Sequence, residues 1–213
     1  METLAKSALS AVKAGKITFI PDNYEKIFTY WMENTIDWNI SRQIVWGIPI
    51  PAKICIECEH AFPDLEDVHM ACPQCKGELR KDTDTFDTWF SSGQWPLLAL
   101  GYSQGEDWKT FHPTDVMETG HDLIFKWVPR MVIFSLYLEK QVPFHTVYLH
   151  GLVNDQKGKK MSKSKGNVIN PLELVDKFGA DALRMALVVG NAPGGDMALA
   201  ENKIKAYKNF ANK

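Results

Sequence analysis

"TDVMETGHDLIFKWVPRMVIFSLYLEKQVPFHTVYLHGLV", residues 114–153, decides the fold. Its first seven residues read as a strand running into a glycine turn at Gly120. From Asp122 to Lys140 the pattern is that of one long, largely buried helix with Pro129 inside it. "HTVYLHGLV" then reads as a second strand. A strand, a helix and a strand in succession form the crossover that lays two strands parallel. The expected class is therefore α/β with a mainly parallel sheet.

Upstream, Leu4, Ala8, Leu9 and Val12 mark an amphipathic helix that stops at Gly15, and "ITFIP" alternates like a short strand. "NYEKIFTYWMENT" has helical spacing through Ile27, Tyr30 and Trp31. Pro49 and Pro51 exclude "WGIPIPA" from a helix interior or a central strand. Downstream, "NPLELVDKFG" reads as a helix with a proline start and a glycine stop, and "ADALRMALVVG" as another. "MALAENKIKAYKNFANK" has a helical pattern that reaches the last residue without a terminator. Both ends read as cut from a longer polypeptide. There are no repeats and no low-complexity segments.

The 213 residues are 45 % hydrophobic and carry a formal net charge of −2. A chain of this size can bury a sizeable core. Its near-balanced charge does not imply non-specific nucleic-acid binding over the whole surface, so any basic site is local. No apolar run reaches membrane-spanning length and no leader pattern is present, which reads as a soluble, cytoplasmic protein.

The four cysteines, Cys55, Cys58, Cys72 and Cys75, form two C-x-x-C pairs with thirteen residues between them. In a cytosolic chain this spacing reads as tetrahedral zinc, ahead of disulfides or free buried thiols. Four thiolate ligands leave no position for substrate, so the metal is expected to be structural. "GKKMSKSKGN", residues 158–167, concentrates four lysines, with Lys157 just before them. Glycine-flanked lysines suit a mobile polyphosphate, and equally an ordinary solvated loop.

Three further stretches carry chemistry. "ETGHD", residues 118–122, ends a strand where open α/β sheets bind nucleotides. Gly120 would allow close backbone approach there, and Asp122 could accept from a ribose. On the residues alone, capping of the following helix by Thr119 and Asp122 is the favoured reading. The tryptophans of "DTWFSS" and of position 127 could wall a small apolar pocket, though plain core packing is the commoner use. Arg42 in "SRQIVWGIPIP" could meet a phosphate or carboxylate, with a structural ion pair as the default.

In this order the pieces resemble the class I aminoacyl-tRNA synthetases. "KMSKS" (Lys160–Ser164) is a signature of that family. "ISRQIVWGIPIP", "DTFDTWFSS", "PTDVMETGHDLIFKWVPRM" and "GLVNDQKGKKMSKSKGN" look like the subgroup that activates valine, isoleucine and leucine. "ETGHDLIFKW", "DTWFSS" and the tail from Gly194 favour its valine-activating members, whereas "WGIPIP" is closer to the isoleucine form. The family's other signature, His-Ile-Gly-His, is nowhere in the chain, and neither an editing nor an anticodon-binding domain is legible. The chain thus resembles the second half of a synthetase catalytic domain.

That resemblance implies the second half of a Rossmann-like nucleotide-binding domain in residues 1–52 and 81–178. It implies a zinc-binding insert in 53–80, and the start of a helical region contacting the tRNA stem in 179–213. The implied activity is aminoacyl-tRNA ligation: valine is activated with ATP and transferred to tRNA(Val). Lys160, Lys163, Ser162 and Ser164 would face the departing pyrophosphate. Thr119, Gly120 and Asp122 would contact ribose, and His150, Gly151 and the Val153 backbone would wall the adenine. Trp89, Leu123 and Trp127 would form the amino-acid pocket. Magnesium would accompany ATP, and zinc would be structural. No membrane partner is implied, and the parent enzyme would be monomeric. The chain alone would be inactive and would not proofread. The alternatives are an isoleucine- or leucine-activating fragment, or a non-enzymatic zinc-knuckle module that binds RNA.

Overall fold

The computed structural model describes residues 1–213. Helix α1 (Glu2–Lys13) buries Ala5, Ala8, Ala11 and Val12 on one face. Gly15, at φ +68°, turns the chain out of it in a conformation that favours glycine. Strand β1 (Thr18–Ile20) follows with Phe19 pointing inward. Helix α2 (Asn23–Glu33) then buries Phe28 and Met32. The apolar face expected there is offset: Ile27, Tyr30 and Trp31 are exposed. Trp31 finds a partner outside the core and stacks on Phe125, ring centroids 4.9 Å apart.

Five short strands come next: β2 (Ser41–Arg42), β3 (Ala52–Cys55), β4 (Ala61–Pro63), β5 (Leu79–Lys81) and β6 (Thr85–Phe86). β3 lies between β4 and β5, antiparallel to both, and β2 pairs antiparallel with β6. Pro49 and Pro51 stay outside these ladders, as their missing N–H groups require; Pro49 makes only an isolated bridge to Thr85. Short helices α3 (Thr88–Ser92), α4 (Trp95–Leu98) and α5 (Glu106–Phe111) lead on to the quoted stretch.

That stretch folds as β7 (Thr114–Gly120), a 3-10 turn (His121–Leu123), α6 (Trp127–Glu139) and β8 (Phe144–His150). The helix is shorter than its apolar run suggested and starts five residues later. Pro129 consequently falls in the first turn, where its missing N–H would have had no helical partner. The second strand is also shorter, because the chain breaks at Gly151 before β9 (Val153–Asn154). Helices α7 (Pro171–Phe178) and α8 (Ala180–Val188) meet at Gly179, whose φ is +94°. Strand β10 (Met197–Ala198) pairs parallel with β9, so the last helix, α9 (Glu201–Ala211), begins at Glu201 and not at Met197.

The main sheet has the order β1-β8-β7 and is parallel throughout, as expected. Central β8 buries Phe144, Val147 and Leu149, each worth roughly 1.5–3 kcal/mol relative to exposure. These pack with Val128, Met131 and Val132 of α6 and with the inner faces of α1 and α2 in one core of seventeen residues. A smaller cluster of Leu174, Ala182, Leu183, Ala186, Leu199 and Ile204 holds α7, α8 and α9 together. No helix is long and apolar enough to cross a membrane.

Candidate functional site

Gly120 and His150 stand opposite one another at the C-terminal ends of β7 and β8. The side chain of His150 reaches back along this edge to contact Glu118 through Nδ1 and Oε1. A third segment, Pro193–Asp196, crosses the same edge. Gly194 N–H donates to the Leu149 carbonyl at 2.7 Å. A Cβ at Gly151 would lie 1.7 Å from the Gly195 carbonyl oxygen, so only glycine fits there.

Asp196 organises this crossing. Its Oδ1 accepts from Leu152 N–H and lies against His121 Nε2, both at 2.7 Å, and Asn154 Nδ2 donates to its Oδ2 at 3.4 Å. The Leu152 N–H, then the His121 ring, hold the carboxyl below the ordinary aspartate range. The sequence reading missed both Asp196 and His121, which are 75 residues apart. No local pattern joins them.

From this edge the lysine loop departs. Asp155 follows β9 and closes a turn: its Oδ1 accepts from Lys157 N–H (2.9 Å) and Lys159 N–H (2.8 Å). Lys160 bridges back to Asn154, and its Nζ reaches Asp122 Oδ2 at 3.0 Å. Ser162 and Ser164 place their hydroxyls 3.3 Å apart, and Lys163–Lys165 form a 3-10 turn ended by Gly166 at φ +64°. Lys163 is exposed and makes no ion pair. The loop therefore brings Lys160 beside Asp122 at the end of the sheet, with Ser162, Lys163 and Ser164 following it in the chain.

The capping role favoured for Thr119 and Asp122 is overturned. α6 has no side-chain cap, Thr119 is buried within β7, and the carboxylate of Asp122 faces Lys160. Val153 lies in β9, whose ladder to β10 uses the carbonyls of Leu152 and Asn154 and leaves that of Val153 outside it. Arg42 makes the structural ion pair, at 2.5 Å from Asp87 Oδ2. Asp87 also takes the N–H of Trp89 at 3.1 Å, which caps α3. Trp127 Nε1 donates to the Ser92 carbonyl at 2.8 Å, which ties α6 to the end of α3. Trp89, Leu123 and Trp127 are all half-buried. A separate hollow of about 430 Å³ is lined by Trp31, Trp38, Arg42, Phe125 and Arg130 and includes none of the three.

All four cysteines are free and their sulfurs lie within 4.8 Å of one another. Sγ–Sγ separations are 3.4 Å for Cys55–Cys75, 3.7 Å for Cys58–Cys72 and 3.4 Å for Cys58–Cys75. These approach the edge of about 3.8 Å that a tetrahedron with metal–sulfur bonds of about 2.3 Å requires. Each C-x-x-C turn ends on a residue in the left-handed region, Glu59 at φ 58° and Lys76 at φ 65°. Backbone N–H groups point at the sulfurs: Cys58 at Cys55 Sγ (3.5 Å) and Gly77 at Cys75 Sγ (3.4 Å). The Cys75 N–H, with that of Gln74, brings the Cys72 thiol down to about 7. At Cys75 the Gly77 N–H pulls downward, but neighbouring Cys55 and Cys58 and burial outweigh it and push that thiol up to about 12. Such crowding of thiolates calls for a cation, and the donor set fits a tetrahedral thiophilic metal. Below the cluster, nearly buried Lys53 pairs with Asp64 (2.8 Å) and Asp67 (2.7 Å).

A parallel sheet whose C-terminal edge meets a lysine loop, in a chain that also gathers four cysteines, defines a class. The model of the family "tRNA synthetases class I (I, L, M and V)" matches residues 1–200, and the chain belongs to that family. Within it, the chain is 51 % identical to the valine–tRNA ligase of Clostridium acetobutylicum and 49 % identical to that of Clostridium tetani, each over its whole length. It spans about a quarter (24 %) of those relatives. Among solved structures, the ternary complex of Agrobacterium radiobacter K84 LeuRS with tRNA and LeuAMS has a TM-score of 0.70 at 27 % identity. The match covers 83 % of this chain and 27 % of that one. The fold is shared as well with Mycobacterium tuberculosis methionyl-tRNA synthetase bound by methionyl-adenylate, at a TM-score of 0.70 and 18 % identity over 98 % of this chain and 36 % of that one.

Proposed function

We propose that the chain is part of a valine–tRNA ligase, the part that closes over ATP and walls the amino-acid site. In the reaction, the valine carboxylate attacks the α-phosphorus of ATP and the bond to the β-phosphate oxygen breaks. Pyrophosphate leaves, and the valyl group then passes from the adenylate to the terminal ribose of tRNA(Val). Charge grows on the departing pyrophosphate. Lys160 and Lys163 oppose it electrostatically, while Ser162 and Ser164 donate to phosphate oxygens. Gly158 and Gly166 let the loop close and reopen.

Thr119, Gly120 and Asp122 take the ribose side, and His150, Gly151 and the Val153 backbone take the adenine side. Trp89, Leu123 and Trp127 receive the apolar side chain of valine. Cys55, Cys58, Cys72 and Cys75 hold a structural zinc, which supplies rigidity to the insert and no reaction chemistry. ATP arrives with its magnesium. The proposed division remains residues 1–52 and 81–178 for the nucleotide-binding half, 53–80 for the zinc insert and 179–213 for the helical region toward the tRNA stem. The parent enzyme is taken to be cytoplasmic and monomeric.

The observation that carries the reading is the position of the lysine loop. Lys160 lies 3.0 Å from Asp122 at the C-terminal edge of a parallel sheet, where open α/β folds bind nucleotides. A thermal-shift titration with a non-hydrolysable valyl-adenylate analogue, beside its isoleucyl counterpart and ATP, tests it. A ligand at a hundred times its Kd adds about 2.7 kcal/mol to the folded state. Preferential stabilisation by the valyl analogue is expected. Preference for the isoleucyl analogue would transfer the reading to isoleucine, and no shift with any ligand would remove the site from this segment.

A further inference from the structure

We propose that Asp155 and Asn167 are a positioning pair, a clasp that sets the lysine loop in the geometry that receives a nucleoside triphosphate's terminal phosphates. The proposal rests on the nucleotide reading above. The two residues stand at opposite ends of the loop, both half-buried, with every lysine of the loop between them. Asp155 Oδ2 accepts from Asn167 Nδ2 at 2.8 Å, while its Oδ1 holds Lys157 N–H and Lys159 N–H. Asn167 Oδ1 accepts from Ser162 N–H at 2.9 Å, and its Nδ2 also reaches the Lys160 carbonyl at 3.3 Å. The Lys160–Ser162 backbone is thus held on both sides by one amide. Bonding from Asn167, then from Lys159 N–H, keeps the Asp155 carboxyl below its ordinary range, as expected for a charged acceptor in use.

An anionic Asp155 would repel a phosphate, and both polar atoms of Asn167 are already engaged within the loop. Their contribution lies in hydrogen-bond polarity. Asp155 can only accept; Asn167 must donate toward Asp155 and accept from Ser162. In Asp155→Asn an amide donor would face the Asn167 donor. Flipping Asn167 would then turn a donor onto Ser162 N–H. In Asn167→Asp two carboxylates would face one another. The exchange D155N/N167D restores the polarity. The new amide oxygen keeps Lys157 and Lys159, its NH2 donates to the new carboxylate, and the other carboxylate oxygen takes Ser162 N–H. Only the 3.3 Å bond to the Lys160 carbonyl is lost.

Charge and geometry predict opposite results for Asp155→Asn. Removing a negative charge beside the lysines should tighten polyphosphate binding if charge alone governs it. Loss of the clasp should weaken it. Calorimetric titration of the chain and its variants with ATP and with adenosine, alongside amide exchange at Lys157, Lys159 and Ser162, separates the two.

For D155N, ATP affinity should fall about tenfold, the equivalent of one strong hydrogen bond, with adenosine affinity unchanged and the three amides exchanging faster. The exchange variant should recover affinity to within about threefold and regain amide protection. ATP binding by D155N that is equal or tighter would overturn the proposal, as would failure of the exchange variant to recover. If the unsubstituted chain binds adenosine but gains nothing from the phosphates, the clasp falls and the nucleotide edge stands. If it binds neither ligand, the nucleotide reading falls and takes the clasp with it.

Discussion

The cysteine insert and the lysine loop both gather like charge into one short segment, and they resolve the repulsion in different ways. In the insert, four sulfurs converge to within 4.8 Å of one another, with Cys55 and Cys72 buried and Cys58 and Cys75 exposed. In the loop, the ammonium groups splay outward into water, and Lys160 alone has a carboxylate partner. Coulomb repulsion at a few ångströms is severe at low dielectric and slight in water. Under the proposed assignment a zinc ion offsets that repulsion in the insert. The loop keeps its shape through backbone N–H ties to the Asp155 carboxylate and the Asn167 amide, and its lysines stay available for a ligand.

Metal removal tests this contrast most strongly. A strong chelator should release one zinc per chain and abolish amide-exchange protection across residues 53–80, because binding and folding of such sites are coupled. Protection in the lysine loop and in β8 should survive. Zinc stoichiometry and residue-resolved exchange report both halves, and an insert that stays protected without metal would break the comparison.

A smaller effect is expected where the loop is rooted. Gly151→Ala forces a Cβ into the Gly195 carbonyl and should cost about 3 kcal/mol, seen as a lower denaturation midpoint and as loosening of residues 152–167 while zinc stays bound. The smallest change should come from Asp122→Asn, which removes an exposed ion pair. It should alter stability by less than about 1 kcal/mol, and the residual effect should vanish at high salt. A larger loss would mean that the loop depends on that charge for its shape after all.

Much of this was legible in the sequence where the signal was local. Two C-x-x-C pairs foretell the clustering of four sulfurs, strand-like patterns locate β1, β7 and β8, and the proline and glycine flanking "LELVDKF" bound α7. The errors arise where tertiary contacts override a local pattern. Tyr30 and Trp31 have the spacing of a core stripe, but the helix is rotated so that Phe28 and Met32 face the core. "DLIFKW" is apolar enough for a helix, yet the chain needs those residues to turn off the sheet edge. Asp196 was invisible because its partners Leu152 and His121 lie 44 and 75 residues away. Asp155 and Asn167 were in view as letters but not as a pair; they stand twelve positions apart, and no helical or strand period connects them.

The two-residue pairing of β9 with β10 has a mechanical consequence. The chain leaves the sheet at Asn154, runs through the lysine loop, α7 and α8, and returns at Met197, beside the point where it left. That excursion is a closed circuit with a common root. Its closure entropy is already spent in the folded state, and grows only slowly with circuit length. The lysine loop and the helices behind it thus leave and return at one place, which Gly194, Asp196 and the Lys160–Asp122 pair tie to the sheet edge.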